Sequence, residues 1–195
     1  MRIGVLALQG DFAEHQVMLE ALGAEVVQVR LAQHLDGLDG LIIPGGESTT
    51  FAKLAQAFGL MRPLRQFGAQ HAIWGTCAGA IFLSKDVRRP QPVLGLMDIV
   101  VERNAFGRQV DSFEIDLEVP VLEKVEDGAG LRPYHAIFIR APLIEKVEGE
   151  AVSLACLPDG RIVAAQQGRL LATSFHPELT GDTRFHRYFM ELARR

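Results

Sequence analysis

Apolar positions along this chain follow two textures that change near residue 86. Residues 3–8 form a continuous apolar run closed by Gln9, Gly10 and Asp11, the pattern of a buried strand in a parallel sheet followed by a turn. Asp11 is the expected N-cap of a helix, with Glu14 placed as in a capping box. Phe12, His15, Met18, Leu19 and Leu22 then recur at helical spacing until Gly23. A second strand is expected at 24–29, and a third within 38–44, where Leu41, Ile42 and Ile43 run into Pro44, Gly45, Gly46, Glu47, Ser48, Thr49 and Thr50. Two adjacent glycines after a buried strand predict a turn that needs positive φ or close backbone approach. Ser48 or Thr49 is the expected cap of the next helix, whose apolar side is Phe51, Leu54, Phe58 and Leu60, broken at Gly59. A further helical turn or two is expected at 63–69, then a strand at 71–74, a small-residue turn carrying Cys77, and an apolar helix start. Strands alternating with helices predict a parallel α/β sheet with right-handed crossovers.

Beyond residue 86, the segments 93–101, 111–118, 136–139, 151–157, 161–166 and 169–174 read as short strands separated by turns, which predicts mostly antiparallel pairing. Residues 181–195 close the chain as an amphipathic helix with Phe185, Tyr188, Phe189 and Leu192 on one side. No repeat or long linker interrupts the pattern, so residues 1–195 are expected to form one domain. The segment 125–134, with Asp127, Gly128, Ala129 and Gly130, is the expected mobile loop.

Composition narrows the class. With 195 residues, 48% hydrophobic and 23% charged, the chain can bury a sizeable core and is neither disordered nor fibrous. A net charge of −4 supplies no electrostatic argument for nucleic acid or an anionic membrane. No apolar run approaches the roughly 20 residues of a membrane helix, and the N-terminal segment lacks a signal-peptide pattern. Cys77 and Cys156 form no CxxC site or paired framework, which favours a reducing compartment; the expectation is a cytoplasmic protein.

Chemistry centres on Cys77. Gly75 and Gly79 flank it at the spacing of a nucleophile elbow, where a sharp strand-to-helix turn exposes the nucleophile near a positive helix end. Alone, the motif equally fits a buried structural thiol. A catalytic thiol needs a base and a group that orients the base. His15, His34, His71, His135 and His186 read as surface or core-edge residues, whereas His176 directly follows an apolar strand, with Pro177 stopping it. Glu178 lies two residues on, within reach of the imidazole in extended geometry, where it can hold the tautomer and stabilise the imidazolium. The Ala78 and Gly46 amides are the expected oxyanion donors. A phosphate-binding role for Gly45 and Gly46 is weaker, since neither GxGxxG nor a following P-loop Lys is present.

Cys77 in Gly75-Thr76-Cys77-Ala78-Gly79, the Pro44–Thr49 stretch and Ser174-Phe175-His176-Pro177-Glu178-Leu179 together resemble the class I, triad-type glutamine amidotransferases. Residues 6–10, 101–113, 138–142 and 161–165 extend the likeness to the glutaminase-subunit family of pyridoxal 5′-phosphate synthases, over nearly the whole chain. The departures are Ala80, Ala105 and a long, Gly-rich 125–134 segment. The resemblance implies a three-layer α/β sandwich with a flavodoxin-like mixed sheet, largely antiparallel towards the C-terminus. It also implies hydrolysis of L-glutamine through a Cys77 thioester, with no cofactor and no metal. Ammonia would pass to a synthase barrel subunit within a large hetero-oligomer. Cys77 would be the nucleophile, His176 the base and acid, and Glu178 the orienting carboxylate. Gly46, Glu47, Ser48, Arg103, Ile139 and Arg140 would line the glutamine pocket, the arginines serving the α-carboxylate. Gln9 and Gly10, at the carboxyl end of the first strand, are expected at the same sheet edge as Cys77. The alternatives are another Cys-elbow hydrolase, protease-like or deglycase-like, and a non-enzymatic flavodoxin-like binding module.

Overall fold

The computed structural model describes residues 1–103, 112–126 and 132–194. Its parallel half runs β1 (Arg2–Leu6), α1 (Phe12–Ala21), β2 (Glu25–Val29), β3 (Gly40–Ile43), α2 (Ser48–Ala57), α3 (Met61–Gly68), β4 (Ala72–Thr76) and α4 (Ala78–Leu83). The rest comprises β5 (Ser84–Asp86), β6 (Met97–Glu102), β7 (Ser112–Leu117), β8 (Tyr134–Ile139), β9 (Leu143–Val147), β10 (Val152–Cys156), β11 (Ile162–Gln167), β12 (Leu170–Thr173) and α5 (Arg184–Ala193). The main sheet has the order β2-β1-β3-β4-β12-β11-β9-β6-β5, with β10 on β11.

Strands β2, β1, β3, β4 and β12 are parallel neighbours, and from β12 onward the β11, β9 and β6 pairings turn antiparallel. The mixed sheet thus agrees with the expected architecture. Alternation along β3 and β4 separates two cores. Leu41, Ile43 and Ile73 pack with Phe51, Leu64 and Phe82 of α2, α3 and α4 on one face; Ile42, Ala72 and Trp74 pack with Leu19, Phe185 and Phe189 of α1 and α5 on the other.

Several local expectations are corrected. Strands β5 and β9 had no counterpart in the sequence reading, and β6 begins at Met97 rather than at residue 93. The strand expected at 111–118 is β7, which pairs with β8 in a separate two-stranded sheet instead of joining the main one. Asp11 makes no side-chain cap on α1. Glu47, not Ser48 or Thr49, caps α2, its carboxylate accepting from the Thr49 and Thr50 amides. Residues 127–131 of the expected loop, Ala105 and the 104–111 part of the 101–113 motif lie outside the described residues.

Candidate active site

Cys77 follows β4 directly, at φ +46° and ψ −104°, a conformation an L-residue adopts only when its surroundings enforce it. The flanking glycines are what permit this. A Cβ on Gly75 would stand 2.5 Å from the Gly79 backbone, and one on Gly79 would stand 1.9 Å from the Ile43 carbonyl oxygen. The Cys77 amide donates to the Thr173 carbonyl at 2.8 Å, which fixes the elbow to the end of β12.

The same strand delivers His176. Its amide donates to the Ile137 carbonyl of β8 at 2.8 Å, and Pro177 opens a 3-10 turn, Pro177–Leu179, that turns Glu178 back onto the ring. The His176 Nδ1 to Glu178 Oε1 distance is 2.7 Å, so the carboxylate holds Nδ1 protonated and leaves Nε2 for the Cys77 thiol. Asp11 adds a second carboxylate, Oδ2 lying 3.5 Å from His176 Nδ1. The structure therefore brings Cys77, His176 and Glu178 together, all buried.

Burial alone would lower the His176 pKa. The hydrogen bonds to Cys77 and Glu178, and the negative charges of both, raise it instead to about 10. Glu178 is pushed up by burial, against the opposing hydrogen bond from His176. Although Asp11, His176 and Glu178 present ligand-type atoms within 4.8 Å of one another, Nδ1 is already committed to the carboxylate; the arrangement orients an imidazole.

The Gly45–Gly46 turn lies against this group. A Cβ on Gly45 would come within 2.6 Å of the His176 ring, and Gly46, at φ +147°, packs against Gln9 so closely that a Cβ would meet its Nε2 at 1.8 Å. Gln9 Oε1 accepts from the Glu47 amide at 3.3 Å, so the β1 turn does reach this edge of the sheet. Ala78 opens α4, in the first turn whose amides lack intrahelical acceptors. Arg103 binds Glu47 Oε1 at 2.9 Å, Thr49 Oγ1 at 3.0 Å and Gln91 Oε1 at 2.9 Å. Glu47 is half-exposed, and although burial raises its pKa, the hydrogen bonds from Thr49 and Thr50 prevail and lower it to about 2. Ser48 is buried with its hydroxyl unpartnered. Ile139 ends β8 with its carbonyl 4.0 Å from Cys77 Sγ, and Arg140 follows, exposed, at φ +43°.

Two residues at this site escaped the sequence reading as site groups. Asp11 read as a helix cap, and His15 as one more position of the α1 stripe, yet His15 Nε2 lies 3.3 Å from Glu178 Oε2. A polar, titratable side chain on an otherwise inward-facing stripe was the available signal.

Residues 5–195 match the SNO glutamine amidotransferase family. The chain is 59% identical to "Pyridoxal 5'-phosphate synthase subunit PdxT" of Herpetosiphon aurantiacus, covering 98% of this chain and 100% of that protein. It is 55% identical to the Moorella thermoacetica protein of the same name, covering 98% and 99%. Among solved structures, a "Crystal structure of glutamine amidotransferase" superposes with a TM-score of 0.89 at 50% identity, covering 99% of each chain.

Proposed function

Because the chain belongs to the SNO glutamine amidotransferase family, we propose that it hydrolyses L-glutamine to L-glutamate and ammonia as the glutaminase subunit of a pyridoxal 5′-phosphate synthase. Residues 1–195 then form one glutaminase domain. The observation that carries this reading is the buried grouping of Cys77, His176 and Glu178 at a strained elbow, with His176 Nδ1 2.7 Å from the Glu178 carboxylate. In such a grouping the imidazole takes the thiol proton and the sulfur is the nucleophile.

Cys77 Sγ attacks the side-chain amide carbon of glutamine, and the resulting oxyanion is met by the Gly46 and Ala78 amides. Collapse breaks the C–N bond as His176 gives its proton to the leaving nitrogen, so ammonia departs and a thioester remains. His176 then takes a proton from water, whose oxygen attacks the thioester carbon; the S–C bond breaks and glutamate leaves. Glu178 stabilises the imidazolium each time it forms. Glu47, Ser48, Arg103, Ile139 and Arg140 are the proposed glutamine contacts. The guanidinium groups serve the α-carboxylate, and the Glu47 carboxylate serves the α-ammonium. No metal or cofactor takes part in these steps. A synthase subunit is the partner, proposed to be a barrel in a large hetero-oligomer that receives the ammonia through a tunnel, in the cytoplasm. Among the described residues, no helix is long and apolar enough to cross a membrane.

The test is ammonia release from glutamine, with and without the synthase subunit of the same genome. Wild type is expected to be weakly active alone and stimulated by the partner. Cys77→Ala is expected to lose all release while keeping its melting temperature; a Cys77→Ala protein working at the wild-type rate would remove the thiol from the mechanism.

A further inference from the structure

Behind Glu178 lies a polar chain that the steps above do not use. His15 and His186 are both fully buried, with His15 Nδ1 3.0 Å from His186 Nε2. His15 Nε2 faces Thr76 Oγ1 at 3.2 Å and Glu178 Oε2 at 3.3 Å. Glu178 Oε2 is buried without a well-aligned hydrogen bond of its own, a costly state for a carboxylate oxygen unless a positive dipole faces it. Trp74 closes the pocket edge-on to both imidazoles.

Only one tautomeric arrangement suits these contacts. A lone pair on His15 Nε2 would confront a carboxylate oxygen, so Nε2 carries the proton and Nδ1 accepts. His186 Nε2 then donates to His15 Nδ1, and the atom left unpartnered is His186 Nδ1, as a bare acceptor. The reverse arrangement strands an N–H donor there, the rarer and costlier defect. Both rings stay neutral: burial and the neighbouring His186 and His176 hold His15 well below the usual range, and burial lowers His186 to about 3.

We propose that His15 is a positioning residue for glutamine hydrolysis, presenting a neutral Nε2–H to the second oxygen of Glu178, with His186 fixing its tautomer. The inference rests on the glutaminase reading. A neutral donor supports the carboxylate without competing with the imidazolium of His176, and such contacts, loose in the free protein, tighten as charge develops. The charged and titratable groups facing Glu178 are His176, His15, Asp11 and Tyr134.

The complex with its synthase subunit, assayed for ammonia release across pH, tests this with His15→Leu and His15→Gln. Leu is expected to lower kcat about 10- to 100-fold at unchanged KM, the usual scale for partners of a catalytic group. It is also expected to move the acid limb of the pH profile upward, because Glu178 loses the dipole that favours its charged form. Gln, which keeps an N–H near the Nε2 position, is expected to restore most of kcat and the limb. Equal losses in both variants, or a Leu variant with the wild-type profile, overturn the proposal. Nitrogen-15 NMR of the wild-type chain needs no substitution: His15 must be the neutral Nε2–H tautomer at pH 7, and an Nδ1–H or cationic ring overturns the idea. If wild type releases no ammonia, the glutaminase reading fails by itself, and the tautomer still decides the role of His15.

Discussion

At the scale of single residues, this site is built from groups held in states that water would not allow. His176 and His186 have opposite departures from the ordinary histidine range, about 10 and about 3, although both are buried. The difference is company: His176 faces Cys77 and Glu178, which raise it, whereas burial alone acts on His186. The consequences for stability are also opposite. A lowered folded-state pKa means that the unfolded chain binds the proton first, so the contribution of His186 is present above the unfolded value and is lost as pH falls towards 3. His176 contributes fully below its unfolded value and loses that contribution as pH rises through 10. From His186 alone, stability is expected to be about 2 kcal/mol lower at about pH 5 than at pH 7. Denaturant melts of wild type and His186→Asn at both values check this: the variant should show a smaller difference between the two, and equal differences would contradict it.

At the scale of elements, helix and strand ends do most of the functional work. Glu47 is an N-cap, an ion-pair partner of Arg103 and a proposed glutamine contact at once. Glu47→Ala is expected to cost about 1 kcal/mol through the lost cap, measurable as a lower denaturant midpoint at unchanged slope, while Glu47→Asp should recover part of it. The parallel half was legible in the sequence because buried strands with continuous apolar runs and helices with a 3.6 period leave strong signatures. The Cys77 elbow, with His176 and Glu178 as its proposed partners, was also readable, since Gly and Pro mark where backbone must bend. Strands β5 and β9 were not: Ser84-Lys85-Asp86 buries only Ser84, and the Leu143–Val147 strand buries only Ile144, so neither alternates visibly. Asp11 misled for a related reason. A local capping rule pointed at α1, but tertiary contact with His176, a residue far along the chain, claims its carboxylate.

At the scale of the molecule, the two cores leave the sheet edge between them for chemistry. The ends of β1, β3, β4 and β12 all reach it, as open parallel sheets generally arrange their sites. The strand order has a further effect. Strand β12 sits beside β4, yet almost a hundred residues separate Cys77 from the histidine it faces. A chain cut after residue 169 would keep Cys77 but lose the Thr173 carbonyl that anchors its elbow, and would leave β4 paired with β3 alone, its other edge open and prone to association. Such a fragment is expected to aggregate in light scattering and to release no ammonia, and adding a peptide of residues 170–195 should restore some solubility. Late closure of this kind gives slow, non-local folding. It also orders the appearance of the parts during synthesis: Cys77 is made about a hundred residues before His176 and Glu178, so the growing chain holds the thiol before either of the groups that face it exists.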